Sequence, residues 1–437
     1  LKQQAILLAT SRQSSPTALG SLLFRCTGRL PNAMASPGSS SVPSLEEVRA
    51  LPKVELHAHL GGCISQQKLV ELLAKRNNGD SFAMFDCRDV MMSEGGDTSK
   101  ALAKCFDYFD KVSKVVCDLD TLKECTLHVL DTFAADGCLY LELRTSPKQL
   151  QRQDVGSSSG ACGQACDGLY TTKAQYLETV KEAVEEFRSY AMERFGFVME
   201  VGILLSIDRG KVSSAEAALR QVDDVAALGE AYPGFVVGVD ISGNPAQPSV
   251  VPYLIPALMQ RKAVFQRLPI TFHTAEIEDA EESELILRSL CDLNIRRLGH
   301  VCFFPEHCRN RVLKGGFFED GSPLGIELCP TSNSITRRLT SLADHHFTDW
   351  WKKSDKVLVS VNTDDTGLFS CNLSSEVHDM ARAFCLSSAD VVELQRQALR
   401  SSFHPDKARL LAMFENLLAQ RAGFQKDGGA SSPSSAL

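Results

Sequence analysis

A chain of 437 residues, 44% of them apolar, can bury a large core as one big domain or as two or three ordinary ones. Its net charge of −8 and the lack of any Lys/Arg block argue against a nucleic-acid partner, while a local cluster for a single phosphate stays possible. No apolar run reaches the ~18 residues needed to span a bilayer, so no membrane partner is expected.

Before residue 46 the chain carries Lys2, Arg12, Arg25 and Arg29, many serines and no acidic residue. Residues 1–45 are read as a disordered, targeting or upstream segment: the composition suits a transit peptide over 1–33, and Met34 offers a second start. From 46 to 424 short β-rich runs alternate with longer helical patterns, which predicts a single domain. The runs are 54–60, 139–144, 201–207, 236–241, 270–274, 297–301, 325–329 and 357–362. Helical patterns cover 66–75, 100–116, 122–135, 174–195, 215–230, 252–267 and 281–290. Strands separated by helices imply parallel pairing, and eight of them predict an α/β fold of the (β/α)8 TIM-barrel kind with a helical insertion after the first strand. No G-x-G-x-x-G or Walker sequence follows a strand, which argues against a nucleotide-cofactor fold. Residues 149–168, rich in Gly, Ser and Cys, are expected to form a loop, and 425–437 a disordered tail.

Fifteen cysteines are scattered without a regular framework, several of them (Cys105, Cys125, Cys138, Cys302, Cys329) in apolar runs. They read as buried free thiols in a reducing compartment, the cytoplasm, or an organelle if 1–33 is a genuine transit peptide. Cys162 and Cys166 fit a loose loop better than a zinc clip.

Polar residues gather where the strand patterns end. In a (β/α)8 barrel the active site forms at the C-terminal ends of the strands. The first run ends in His57-Ala-His59, two imidazoles on one side of a strand. The fifth ends in His273-Thr274-Ala275-Glu276, the sixth in His300, and the eighth runs into Asp364-Asp365. Neutral imidazoles with one carboxylate suit a borderline cation such as Zn²⁺. Asp364 and Asp365 leave the strand in different directions, so one can ligate while the other faces the metal's water. Glu276 can enter the pocket without ligating, and His300 can flank that water. His128 reads as a core residue; His307, His345, His346, His378 and His404 lie in polar stretches and read as surface residues. The His345–His346 pair is the one among them that a loop near the site would explain.

The segments ELHAHL, SGNP, HTAE, RLGHVCFF, CPTSN and NTDDTGLF resemble, in content and order, the adenosine deaminase family, over about residues 51 to 418. The resemblance is strongest to its adenosine deaminase-like N(6)-methyl-AMP deaminase branch, carried by Arg144-Thr145-Ser146-Pro147-Lys148, by Ser206-Ile207-Asp208-Arg209 and by Asp240-Ile241-Ser242-Gly243-Asn244-Pro245. It implies a TIM barrel with one Zn²⁺ per chain, held by His57, His59, His273 and Asp364. It implies catalytic roles for Asp365 as proton acceptor, His300 as stabiliser of the developing charge and Glu276 as proton donor to ring nitrogen 1, which asks for a dry pocket. Substrate contacts are implied for His59, Gly61, Asp110, Thr145, Ser146, Pro147, Lys148, Asp208, Gly243 and Asp365, with the Gly243 N–H on ring nitrogen 3.

The sequence departs from that branch at Gly61, where the branch usually has Asn, and at Asp110, in a region where it usually has His. Near a phosphate Asp110 needs compensation from Lys148 or Arg209. The implied activity is hydrolytic deamination of a 6-aminopurine nucleotide, N(6)-methyl-AMP to IMP plus methylamine, in purine nucleotide salvage, by a monomer. Adenosine to inosine is the alternative that Gly61 and Asp110 favour. A non-catalytic binding barrel is the alternative of another class, and it predicts eroded metal ligands, which the sequence does not show. The H-x-E…P-C-x-x-C signature of the other zinc deaminase class is absent.

Overall fold

Eight strands pair in parallel in chain order: β1 Lys53–His59, β2 Cys138–Thr145, β3 Glu200–Asp208, β4 Val236–Ser242, β5 Ile270–Thr274, β6 Ile295–His300, β7 Leu324–Leu328 and β8 Val357–Val361. The computed structural model describes residues 41–76, 98–151, 170–245 and 249–427. Expectations for the chain before 41, for Cys162 and Cys166, and for the tail after 427 lie outside them. Strands of a parallel sheet are covered on both faces, so they read as continuous apolar runs, and β2, β4, β5, β7 and β8 are buried throughout. Helices return the chain between strands, which makes the fold the expected (β/α)8 barrel. The insertion after β1 contains helices Gln66–Arg76, Thr98–Val115 and Leu119–Ala135. No helix among the described residues is long and apolar enough to cross a membrane.

Local sequence explains several helix ends. Ser44 and Glu47 form a capping box that starts Leu45–Ala50, one residue inside the segment set aside from the fold. Thr172 and Gln175 do the same for Lys173–Phe195, which Gly196 ends at φ 76°. The pattern at 252–267 divides into Val251–Gln260 and Lys262–Phe265, because Arg261 (φ −115°, ψ 22°) bonds back to the Leu258 carbonyl and tightens the turn. The last helix, Lys407–Asp427, runs three residues past the expected boundary at 424.

The barrel closes at a short seam between β1 and the residues following β8. Asp364 N–H donates to the His57 carbonyl (2.8 Å) and the Asp364 carbonyl accepts from His59 N–H (3.0 Å). Side chains continue the ladder: Asn362 Oδ1 accepts from Leu56 N–H (3.1 Å), and Glu55 Oε2 accepts from Thr363 N–H (2.9 Å).

Charge fills much of the barrel interior, where branched apolar layers are the rule. Arg297 bridges Glu142 and Glu327, and Arg144 bridges Glu327 and Asp240, all five fully buried. Phe403 lies under this network, its ring 3.6 Å from the Arg297 guanidinium carbon. Buried charges persist only when paired and hydrogen-bonded, and these are.

Candidate active site

Each of the polar residues expected at the mouth is there. His57 and His59 end β1, His273 lies in β5, His300 ends β6, Glu276 follows β5, and Asp364 and Asp365 follow β8. The backbone turns sharply as it leaves the sheet: Ala275, His300, Val301 and Asp364 have φ of 54°, 65°, 48° and 62°. Left-handed backbone is costly for L-residues, above all for β-branched Val301, and such strain gathers where a site re-aims side chains.

Imidazole nitrogens and a carboxylate crowd one point. His57 Nε2 lies 3.0 Å and His59 Nε2 3.3 Å from His273 Nε2. Asp364 Oδ1 is 3.5 Å from Nε2 of both His57 and His59. By distance alone, the ligand atoms of His57, His273, His300 and Asp364 all lie within 4.8 Å of one another. Three imidazoles and a carboxylate in this arrangement can hold a metal ion.

Two carboxylates of the buried network orient the imidazoles from beneath. His57 Nδ1 is hydrogen-bonded to Glu327 Oε2 (2.8 Å), and His273 Nδ1 makes a bent contact with Asp240 Oδ1 (3.1 Å). Burial alone would raise Glu327 and Asp240, but Arg144, joined at Glu327 by Arg297, holds both carboxyls well below the usual range. As anions they only accept, so each imidazole presents its hydrogen at Nδ1 and a lone pair at Nε2.

Around the metal-binding group stand Glu276, His300 and Asp365. Arg209 reaches Glu276 Oε1 (3.0 Å), Glu282 Oε1 (3.3 Å) and the Gly243 carbonyl (3.1 Å). The Glu276 side chain is largely buried, but it is not without charged neighbours: a buried guanidinium fixes one oxygen, and the other lies 3.8 Å from His300 Nε2. Arg209 is likewise committed to this contact and is not a free cation for a phosphate. Asp365 is buried, its Oδ1 has no hydrogen-bond partner, and burial with the neighbouring Asp364 carboxylate pushes its pKa well up. Asn333 Nδ2 contacts His300 Nδ1 at 2.9 Å.

The expected substrate contacts are more scattered. Thr145 ends β2 and Ser146, Pro147 and Lys148 follow it, but the Thr145 hydroxyl is bonded to Tyr176 (2.8 Å) and the Ser146 hydroxyl points to the Ser206 carbonyl (3.4 Å). Lys148 Nζ lies 3.2 Å from Ser113 Oγ. Asp208 accepts from Gly210 N–H and pairs with Lys211, and Gly243 beside it has φ 108°, where a Cβ would lie 2.5 Å from Asp208 Oδ1. Gly61 faces open space, with no atom within 4 Å of where a Cβ would be. Asp110 is exposed on helix Thr98–Val115.

Three histidines expected at the surface are buried: His345 (2%), His346 (5%) and His404 (9%). His345 and His346 stack with ring centroids 4.2 Å apart, and His346 Nε2 donates to the His300 carbonyl (2.7 Å). His404 packs edge-on against Tyr140. Polar neighbours in sequence hid these packings; His307 is exposed and His378 half-buried, as a surface reading requires, and His128 is only half-buried. Glu55, Glu142, Arg144, Asp240, Arg297 and Glu327 had a signal that was available, namely isolated charges inside apolar strand runs, for which burial demands partners.

A parallel eight-stranded barrel with three imidazoles and a carboxylate gathered at its C-terminal mouth defines a metal-dependent hydrolase barrel. The pattern of the adenosine deaminase family matches residues 52–417, and the chain belongs to that family, whose members are hydrolytic deaminases acting on a purine C–N bond. It is 29% identical to an N6-mAMP deaminase of Arabidopsis thaliana, over 84% of this chain and 96% of that one. It is 28% identical to an N6-methyl-AMP deaminase of Homo sapiens, over 82% and 90%. Among solved structures it is similar to an ADAL–IMP complex (TM-score 0.67, 30% identity) and to the apo N6-methyl-AMP deaminase from Arabidopsis thaliana (0.66, 30%), each covering 86% of this chain and 100% of the other.

Proposed function

We propose that the chain is a zinc-dependent deaminase of 6-aminopurine nucleotides, converting N(6)-methyl-AMP to IMP and methylamine in purine nucleotide salvage. The observation that carries the reading is the meeting of His57 Nε2 and His273 Nε2 at 3.0 Å while both rings turn their Nδ1 hydrogens toward carboxylates. Two lone pairs cannot face each other unscreened in a buried site, so the contact calls for a bound cation or for a proton on one ring. With His59 and Asp364, the neighbouring donors are 3.0–3.5 Å apart. Tetrahedral zinc ligands at ~2.0–2.1 Å from the ion lie about 3.3 Å from one another, so the set fits one Zn²⁺ per chain. His300 is not a ligand in this reading: Asn333 donates to its Nδ1, so the ring hydrogen sits on Nε2.

When bound, Zn²⁺ lowers the pKa of a water toward ~7. A cation held at Asp364 offsets the charge that raises the Asp365 pKa, and the Asp365 carboxylate would then take the water proton and aim the oxygen at the purine 6-carbon. His300 Nε2–H donates to that oxygen as charge develops. Glu276, anchored by Arg209, passes a proton to ring nitrogen 1, and the Gly243 N–H binds ring nitrogen 3. His59, Asp208 and Asp365 line the approach. As the C–N bond breaks, the Asp365 proton would pass to the departing amine, the remaining hydroxyl proton would return to Glu276, and the 6-carbon becomes a carbonyl.

A nucleotide substrate is supported by the printed names of the relatives and by Lys148, which no carboxylate among the described residues pairs with. Ser146 and Pro147 shape that strand end; the Thr145 hydroxyl, already bonded to Tyr176, contributes less than its type suggests. Adenosine is the second reading, favoured by the exposed Asp110 and by the space at Gly61. A monomer is supported by a site complete within one chain. A reducing compartment, the cytoplasm, is supported by the free cysteines among the described residues. Zinc-loaded protein assayed side by side on N(6)-methyl-AMP, AMP and adenosine, with products identified by mass, tests the proposal. Faster turnover of the methylated nucleotide upholds it; faster turnover of adenosine replaces it with nucleoside deamination.

A further inference from the structure

We infer that Asn333 is a positioning residue that fixes which ring nitrogen of His300 carries the hydrogen, and that His345 helps to hold it in the orientation that does so. The inference rests on the reading of His300 as a donor in the proposed deamination.

Four contacts determine every hydrogen in the chain of groups. Phe347 N–H donates to His345 Nδ1 (3.0 Å), which leaves the His345 ring hydrogen on Nε2. That nitrogen lies 3.2 Å from Asn333 Oδ1. The same Oδ1 accepts from Cys329 N–H (3.1 Å), a backbone donor that permits only an oxygen at this position. The Asn333 amide therefore cannot be flipped, and its NH₂ faces His300 Nδ1 at 2.9 Å. An amide NH₂ has only hydrogens to give, so His300 Nδ1 must accept. An imidazole keeps at least one hydrogen, which then sits on Nε2, the nitrogen that faces Glu276 and Asp364.

Without this constraint His300 has two neutral forms. One presents a hydrogen to the reacting oxygen. The other presents a lone pair, which would repel that oxygen and compete for the metal with His57, His59 and His273. The network selects the first form. His300, Asn333 and His345 are nearly inaccessible to water, at 1%, 0% and 2% exposure, so solvent cannot substitute for a lost partner. Burial also drives His345 to its neutral form, with a pKa down to about 2, in keeping with its single ring hydrogen. His346 braces the same residue from its backbone: its bond to the His300 carbonyl sits where that residue adopts φ 65°.

The test is ring-¹⁵N histidine NMR of the zinc-loaded full chain, with steady-state kinetics and zinc analysis of the same samples. In the parent protein His300 is expected to show an unprotonated Nδ1 and a protonated Nε2. Asn333→Asp places an acceptor against Nδ1 and is expected to bring a hydrogen onto it. With the donor at Nε2 weakened or lost, kcat falls about 10²-fold or more while KM changes little and zinc stays near one equivalent. Asn333→Ala removes the constraint, giving a mixture of both forms and an intermediate loss; it carries the test if the aspartate variant does not fold. A His300 that keeps its hydrogen on Nε2 alone in both variants overturns the inference. Hydrogen transfer to Nδ1 with unchanged kcat upholds the role of Asn333 and overturns the catalytic role of His300.

Discussion

Gly62 and Asp365 occupy adjoining space so closely that a Cβ on Gly62 would fall 1.6 Å from Asp365 Oδ1. The absence of a side chain at Gly62 is therefore what lets the Asp365 carboxylate lie where it does. Gly62→Ala is expected to displace that carboxylate and lower kcat by about 10²-fold or more, the usual worth of a positioned acid or base. Zinc content should stay near one equivalent because Asp365 is not in the proposed ligand set. Parent-like kcat in a folded variant would remove Asp365 from the chemistry.

Glu276→Gln keeps the shape of the side chain and its contact with Arg209 but cannot deliver a proton. Turnover should drop by about 10²–10⁴-fold with zinc retained. Substantial residual activity in a direct product assay would assign the proton donor elsewhere.

Gly61→Asn puts an amide into open space, with no atom within 4 Å of the new Cβ. The fold should tolerate it within about 0.5 kcal/mol, as an uncrowded position does. Extra donors near the substrate are expected to lower KM for the nucleotide more than for adenosine. An equal change for both would show that residue 61 does not approach the phosphate.

Removing zinc should destabilise the protein, because the proposed ligands come from β1, β5 and the segment following β8. At free zinc 1,000-fold above its dissociation constant the ion contributes about 4.1 kcal/mol. A melting temperature unmoved by chelation would separate the site from any metal.

Glu376 is buried and its pKa is raised to about 7 from 4.5, through burial opposed by hydrogen bonds from Thr331. Because the folded value exceeds the unfolded one, the folded state holds the extra proton between pH 4.5 and 7. Stability from this group is thus present below 4.5 and is lost as pH rises toward 7. Glu376→Gln should flatten that decline, measured by urea unfolding of both proteins at pH 5, 6 and 7. Parallel pH profiles would show that the carboxyl does not titrate in this window.

Much of the architecture could be read from the chain, since the strands are largely apolar runs and β1, β5, β6 and β8 run into residues a core would not keep. His57, His59, His273, His300, Glu276, Asp364 and Asp365 all stood at those ends. What surrounds them was harder to see. Arg209, two residues past Ile207, gave no sign that it would reach across to Glu276, since that contact depends on where β3 and β5 lie in space. His345 joins two short 3₁₀ turns, Leu342–Asp344 and His346–Asp349, and His346 opens the second; their burial follows from packing near His300. Asn333 was visible within CPTSN, but its role depends on a backbone N–H and a ring nitrogen that no spacing rule connects.

The seam between β1 and the end of β8 has a consequence for ancestry. Asp364 hydrogen-bonds through its backbone to both His57 and His59, and the side chains of Glu55 and Asn362 extend the join. These positions belong to the segments by which the family is recognised, yet part of what they do is keep the cylinder shut. A descendant that abandoned the reaction would still be under pressure to retain Glu55 and Asn362, whose side chains make the join, whereas the backbone of almost any residue serves at 57, 59 and 364. The side chains of His57, His59, Asp364 and Glu276 close nothing, so they would be free to drift first. For a distant relative, the histidines of the opening strand and the glutamate of HTAE are therefore better witnesses to a living enzyme than the Glu55 and Asn362 beside them.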